Sequence, residues 1–558
     1  MHDRFFIAGQ LREMGRLLDV KGENRFKARA YERAARALET LDADLDLLVL
    51  NRRLTEIPGI GSALAAVIDE LYRTGKSSLL DELRGQLPPG ALEINLVPGL
   101  SLKKIAALNA ALGVASVADL KAAGEKGLIR TVKGFGPKGE AKILAAIAKL
   151  ESGGARLLLD QATDEAERLL RHIRGGATVA KADVAGALRR RKESVSRIQI
   201  VAAGAKADKL IDDFLRYPAI VHSERADDAC RARLAAGAMV ELHAVREADY
   251  GASLLRHTGS KRHYARLEEL AQEKRLDLNA RAQDEKEIYR CLGMQYVPPE
   301  LREDEGEIEA AVACKLPRLV EYDDISGLTH CHTVYSDGKN TVEEMALAAD
   351  ALSMKYLTIT DHSPSAFYAG GVEVERLKRQ WEEIDRAQEK VKVRLLKGTE
   401  SDIRPDGSLD YPDDVLARFD IVIASIHQRN KMNADQMTRR IVAAMKSPFF
   451  KIWGHPLGRL IGSRPPIECN METVLDAIAE AKAAVEVNGD PHRLDLEPRW
   501  TRAARERGIK FLISTDAHST AALRYLRYGV DMARRGWLTA GEVLNTLPLK
   551  NFLAAVRP

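Results

Sequence analysis

The sequence predicts a multidomain α/β chain with a helical front built on repeated hairpins and a β/α barrel at its C-terminal end. Three observations predict it. The chain has 558 residues, and at about 100–200 residues per domain it holds roughly three to five units. One helix-turn-helix design recurs in the first 150 residues. From about residue 322, short β-rich runs alternate with amphipathic helices, and each run ends in a side chain able to ligate a metal. Composition agrees, with 45% hydrophobic and 30% charged residues, which is ordinary globular usage and excludes a disordered linker protein. No run approaches about 18 apolar residues, and Met1-His2-Asp3-Arg4 does not open a signal peptide. A soluble cytoplasmic protein without a membrane partner is expected. The five cysteines are scattered without a Cys-x-x-Cys pair, so neither a disulfide framework nor a zinc knuckle is indicated.

Leu54-Thr55-Glu56-Ile57-Pro58-Gly59-Ile60-Gly61 leads into an apolar-periodic stretch, and Thr131-Val132-Lys133-Gly134-Phe135-Gly136-Pro137-Lys138 leads into another. In each, the glycines let backbone approach a phosphate, and the following helix offers unpaired N–H groups at its start. A third copy, Leu96 to Ser101 with Gly99, followed by Lys103 and Lys104, lacks the second glycine. Such turns hold nucleic-acid backbone without reading sequence. Charge supports DNA as the partner: the net +4 hides nine Lys/Arg against three Asp/Glu in residues 101–150. Gly59, Gly61, Lys103, Lys104, Gly134, Gly136 and Lys138 are the candidate contacts.

These turns resemble the helix-hairpin-helix elements of family X DNA polymerases, with Asn24–Tyr31 similar to the opening helices of that family's N-terminal domain. The resemblance implies an α+β palm and a thumb next. Where some members carry the lysines of a lyase site, this chain has Ala63 and Val67, so no Schiff-base lyase is expected. Ala185–Ile200 resembles the palm signature, but Arg197 and Gln199 stand where the family has an Asp-x-Asp pair, Glu241 aligns with the third acid, and Ala187 replaces the serine of a Gly-Ser pair. A two-metal transferase site needs those carboxylates, so a degenerate palm is expected. Arg189 and Arg190, in the run Arg189–Lys192, are further DNA-contact candidates, and Thr258–Lys261 resembles the thumb turn.

The barrel-like region opens with Thr329-His330-Cys331-His332 and reaches Asp337. Further runs end at Asp361-His362, Glu400, His427, His455 and Asp516-Ala517-His518. In a β/α barrel the C-terminal strand ends form the active site. The motif order resembles the polymerase-and-histidinol-phosphatase (PHP) family of metal-dependent phosphoesterases, and a bacterial family X polymerase with a C-terminal PHP domain is similar over essentially the whole chain. The resemblance implies nine metal ligands: His330, His332, Asp337, His362, Glu400, His427, His455, Asp516 and His518. It further implies three ions: one on His330, His332, Glu400 and Asp516, a second bridged by Glu400 to His427 and His455, and a third on Asp337, His362 and His518. Of these, His330, His332, Glu400 and Asp516 are read as catalytic. Mixed imidazole and carboxylate donors suit zinc, manganese or iron, and such ions promote hydrolysis of phosphate esters. Lys397 and Arg459 are considered as phosphate clamps, against a plain surface or supporting role, and His492 is left outside the site.

The implied domains are a helix-hairpin-helix domain (1–85), a fingers-like domain (86–150), a degenerate palm (151–245), a thumb-like domain (246–318) and the PHP domain (319–558). The expected function is a metal-dependent 3′→5′ exonuclease acting on DNA ends in repair. The alternatives are an active family X polymerase with exonuclease, a histidinol-phosphatase-like phosphomonoesterase, and a non-catalytic DNA-binding scaffold.

Overall fold

Hydrophobic periodicity builds the front of the molecule. In the helix Arg4–Lys21, Ile7, Leu11, Met14 and Leu18 fall on one stripe and are fully buried, packing against Tyr31, Ala34 and Leu38 of the helix Arg25–Glu39. A separate core runs from Ala91 to Ile147. The computed structural model describes residues 4–557 except 22–24, 40–44, 89, 96, 98, 152–155, 177, 235, 236, 279 and 280. Asn24, Leu96 and Pro98, named above, lie outside the described residues. No single helix among the described residues is long and apolar enough to cross a membrane.

The middle of the chain forms a five-stranded sheet from β1 (Val179–Ala185), β2 (Arg197–Gly204), β3 (Ile220–Arg225), β4 (Ala229–Leu234) and β5 (Met239–Val245). Their order is β1-β2-β5-β4-β3, with only β2 and β5 parallel. This is the expected α+β palm. A helical thumb follows, with its own core from Ala252 to Leu319, and Ser260 caps its helix Lys261–Glu273 by accepting from the His263 N–H at 3.1 Å.

The C-terminal region is a seven-stranded, all-parallel sheet wound almost into a closed barrel. Its strands are β6 (Gly327–Leu328), β7 (Tyr356–Ile359), β8 (Arg394–Asp402), β9 (Ile421–Ser425), β10 (Ile452–Trp453), β11 (Ala484–Asn488) and β12 (Lys510–Ser514), paired in chain order. Helices cover the sheet from outside, so the strands are apolar nearly throughout. The seam is stitched by the buried Asn545, whose Nδ2 donates to Gly327 O at 3.0 Å and Ile513 O at 2.8 Å. The expected capping box forms, with Thr341 N donating to Glu344 Oε2 at 2.8 Å and Glu344 N to Thr341 Oγ1 at 3.2 Å.

The cationic run ties these units together. Arg189 grips Glu285 with two hydrogen bonds of 2.8 and 2.7 Å, and Arg302, fully buried, donates to the same carboxylate at 2.6 Å. Arg190 donates to Glu303 at 2.9 Å and to Thr258 O at 2.7 Å. Arg191 lies 3.4 Å from Asp531, and Lys192 lies 3.5 Å from Glu303. Arg189 and Arg190 therefore clamp palm to thumb, with Arg189 Nη1 and Nη2 and Arg190 Nε and Nη1 engaged inside the chain. The barrel is held to the palm by Glu193, which accepts from Arg535 at 2.7 Å.

Two guanidiniums outweigh burial and hold the Glu285 carboxyl down at about 2. Because this folded value is depressed, the stabilisation is complete above the ordinary carboxylate value of 4.5 and is lost as pH falls toward 2. Glu285→Ala leaves Arg302 buried without its counter-charge, which costs about 3–5 kcal/mol. Urea denaturation at pH 7 will show this loss, and the gap between variant and wild type will narrow on acidification.

Candidate metal centre and DNA-binding surfaces

The barrel's parallel strands all point the same way, so the residues that follow them converge on one rim. His330 and His332 follow β6, His362 follows β7, His427 follows β9, His455 follows β10, and Asp516 and His518 follow β12. Glu400 lies within β8 rather than beyond it, because this strand runs two residues further than its apolar pattern predicts. Its carboxylate sits at the middle of the group. Oε1 is 2.6 Å from His455 Nε2 and 3.3 Å from His427 Nε2. Oε2 is 3.0 Å from His362 Nδ1, 3.3 Å from His330 Nε2 and 3.6 Å from His332 Nε2. Asp516 Oδ1 lies 3.2 Å from His332 Nε2, and Asp337 Oδ1 lies 3.2 Å from His518 Nε2. All nine predicted donors are thus brought together.

Their grouping differs from the one the resemblance implies: His332 joins Asp337, His362 and His518, Glu400 groups with His362 and His427 but not with His330, and His455 falls in none of the sets. Among the described residues, three sets have donor atoms within 4.8 Å of one another: His332, Asp337, His362 and His518; His330, His332 and Asp516; and His362, Glu400 and His427. His332 and His362 each belong to two sets, since each imidazole presents both nitrogens to the centre. Backbone strain accompanies the site: His330, His455 and Asp516 have φ of +59°, +22° and +47°, a region non-glycine residues avoid and that clusters at functional sites.

The donors fit divalent metal ions on their own chemistry. Both oxygens of Glu400, both nitrogens of His332 and the Nε2 atoms of His330, His427 and His455 are buried without a hydrogen-bond partner. Orphaned atoms of that kind are expensive unless something coordinates them. Electrostatics is consistent: burial opposes charge on Glu400, but the surrounding imidazoles outweigh it and hold the carboxyl well below its usual range. Burial also opposes charge on His427, yet Glu400 and Asp402 push it up to about 10. Burial beside His518 and His362 pulls His332 down to about 4.

A supporting layer fixes the donors. His330 Nδ1 is 2.5 Å from Glu486 Oε1, the His455 N–H donates to the same carboxylate, and Asn488 Nδ2 donates to it at 3.2 Å. Asp361 accepts from Thr333 N at 2.7 Å, Ser336 Oγ at 2.5 Å and Gln380 Nε2 at 2.6 Å, which locks the loop between His332 and Asp337. The sequence reading missed Glu486, although its signal is visible: one acid at the centre of the buried strand Ala-Val-Glu-Val-Asn. Lys397 pairs with Asp385 at 2.8 Å and Arg459 with Glu497 at 2.8 Å, so both have supporting roles. His492 pairs with Asp490 at 3.0 Å, outside the donor sets.

The palm presents the opposite picture. Gln199 and Glu241 are register partners on the parallel strands β2 and β5, and Arg197 Nη1 lies 3.4 Å from Glu241 Oε2. Gln199 Nε2 donates to that oxygen at 3.1 Å, and Arg231 Nε donates to Oε1 at 3.0 Å. The positions expected to be degenerate are therefore true neighbours, and the one acid among them already has its cations. Asp212 and Asp213 share the helix Ala207–Leu215 and pair separately with Arg225 and Arg216.

Three protein families match the chain: a helix-hairpin-helix domain over residues 4–77, the DNA polymerase beta thumb over 253–303 and the PHP domain over 329–489. The chain is 34% identical over 556 residues to DNA polymerase/3′-5′ exonuclease PolX of Bacillus subtilis (strain 168), covering 97% of each protein. The chain belongs to the bacterial family X polymerases that carry a PHP domain. It is also 28% identical over 236 residues to a probable phosphatase of Thermoanaerobacter sp. (strain X514), covering 39% of this chain and 89% of that protein. A probable phosphatase of Shewanella sp. (strain MR-4) is 27% identical over 242 residues, or 40% and 90%.

Family X membership gives the helix-hairpin-helix turns their context as DNA-binding elements. Gly59 and Gly134 have φ of +87° and +92°, and Gly99 of the third turn has +89°, so the copy without a second glycine keeps the same bend. Gly61 has an ordinary φ of −85°. A Cβ on Gly61 or Gly136 would meet nothing within 4 Å, so neither glycine is required by packing within the chain. Open space beside a helix start is what an approaching phosphate needs. Lys103 and Lys138 are exposed, and Lys104 Nζ donates to Gly99 O at 3.0 Å.

Removing a partner behind a metal-bound histidine typically costs about 10–100-fold in metal affinity. Glu486→Ala is expected to lose metal by that factor, as read by the ion retained after dialysis against a graded chelator, whereas His492→Ala retains it as wild type does.

Proposed function

We propose that this family X member is a metal-dependent 3′→5′ exonuclease that trims DNA ends in cytoplasmic DNA repair, on a polymerase frame that has lost nucleotidyl transfer. The observation that carries this reading is the contrast between two buried carboxylates. Glu400 faces five imidazoles and, among the described residues, no Arg or Lys within ion-pair distance. Glu241 is engaged by Arg197 and Arg231, which outweigh burial to hold it ionised and neutralised.

Three ions of the zinc, manganese or iron class per chain suit the nine donors, and they would supply charge neutralisation at phosphorus and a water acidic enough to attack it. The protein's own part is orientation. Glu486 and Asp402 hold the His330 and His427 rings through their Nδ1 atoms, leaving Nε2 toward the centre. Access is one-sided: Asp337 and His518 keep 37% and 35% side-chain exposure while His330, His332 and Glu400 have none. The phosphodiester enters there, and the hairpins grip the duplex away from the barrel through backbone phosphates.

A working polymerase is the second reading, favoured by the name of the Bacillus relative. Against it stands the arginine at a metal position. A small-molecule phosphomonoesterase leaves the hairpins unexplained.

The test is nucleotide release from a 3′-labelled oligonucleotide with Mn²⁺. Asp516→Ala and His332→Ala should each lower the rate by more than the roughly 100-fold ceiling of a supporting residue. Gly61→Val with Gly136→Val should raise KM on duplex DNA at constant kcat. Release that survives Asp516→Ala would sink the proposal.

A further inference from the structure

Directly after the donor His362 the chain makes a loop, residues 363–372, that holds two large aromatic rings in solvent beside the metal centre. Phe367 is 78% and Tyr368 58% exposed. The rings stand edge to face with centroids 5.9 Å apart, and the Tyr368 ring lies 6.3 Å from that of the donor His427. Isolated exposed hydrophobics are ordinary, but an adjacent pair at the rim of a reaction centre asks for a ligand.

The loop is pinned, so the exposure is imposed. Ser365 donates twice to Asp410, from N at 2.6 Å and from Oγ at 2.5 Å, and Gln428 Nε2 donates to Ser365 O at 3.1 Å. Val372 N donates to His362 O at 2.8 Å, and Gly371 N to Ala366 O at 3.2 Å. Gly370, at φ +69°, makes the return turn that these bonds require. Positive charge lies at the same centre: Arg493 Nε is 3.0 Å from Oδ2 of the donor Asp516, and Arg493 Nη1 is buried without a hydrogen-bond partner. Exposed rings beside a metal centre that also holds a guanidinium with a spare donor suit a ligand that is aromatic at one end and anionic at the other, which describes a nucleotide.

We infer that Phe367 and Tyr368 are a stacking platform for the unpaired terminal nucleobase of a DNA strand whose phosphodiester lies over the metal donors, with Arg493 toward its phosphate. The inference rests on the exonuclease reading and specifies its substrate as a single-stranded or frayed 3′ end. A base inside a duplex has both faces covered by neighbours, and a paired terminal base is held to its template strand, so an unpaired end reaches the platform more readily than either. Stacking is tolerant of sequence because every base has a π-face, as trimming of arbitrary ends requires.

The test uses the full-length protein and two single-stranded oligonucleotides, one with a normal 3′ nucleotide and one with an abasic 3′ residue. Phe367→Ala, and Phe367→Ala with Tyr368→Ala, should raise KM for the normal end by roughly 5–100-fold while changing that for the abasic end less than about twofold. Phe367→Trp should restore the wild-type value. In chelator, where nothing is cut, a 3′-terminal 2-aminopurine should be quenched on binding to wild type and not to the double variant. Equal losses on both ends would mean a merely structural role, and no loss on either would leave the rings for another partner; both overturn the platform. A wild type that binds and quenches the probe but releases no nucleotide from either end overturns the exonuclease reading instead.

Discussion

Everything in the C-terminal half is organised around the carboxylate of Glu400, whose two oxygens face five imidazoles and are themselves fully buried. A charge buried so deeply persists only if it is paired or coordinated. The parallel barrel meets that demand because its strand ends converge on the same rim. The stitching of its seam by Asn545 then matters for chemistry as well as stability, since β6 and β12 carry His330, His332, Asp516 and His518 on either side of it. Left-handed backbone at three donors costs on the order of 1–3 kcal/mol each, a cost offset when their side chains share a ligand.

The palm places a second buried carboxylate in a different setting. Its sheet pairs β2 with β5 in parallel and places Arg197, Gln199 and Glu241 together, and Arg231 reaches across to Glu241. A carboxylate neutralised by guanidiniums no longer attracts a divalent ion. Meanwhile Arg189 to Lys192 bind Glu285, Glu303 and Asp531, so the cations of this region fasten palm, thumb and barrel together. In the hairpins, by contrast, a Cβ added at Gly61 or Gly136 would meet nothing within 4 Å.

Much of this was legible in the sequence because the relevant signals are local. Gly-x-Gly before a helix fixes a turn, and a β-rich run followed by His or Asp fixes a polar side chain at a strand end, so the residues that converge on the barrel rim and the three neighbouring palm positions could be named from the sequence alone. What failed to show was of another kind. The Arg189 and Arg190 partners lie about a hundred residues away, and a basic run looks the same whether solvated or paired. Glu486 sits in a strand whose outer residues are apolar, and nothing nearby in sequence reveals that His330, 156 positions upstream, rests on it. The exposure of Phe367 and Tyr368 is likewise set by Asp410 and Gln428, remote residues that hold the loop out.

The central claim is that chemistry resides at Glu400 and not at Glu241. It is tested most directly by primer extension with the Asp516→Ala protein, a 5′-labelled primer-template, all four deoxynucleotides and Mn²⁺, so that degradation cannot mask synthesis. The account predicts a primer that stays at its starting length. A ladder of longer products, abolished by Glu241→Ala, would contradict it.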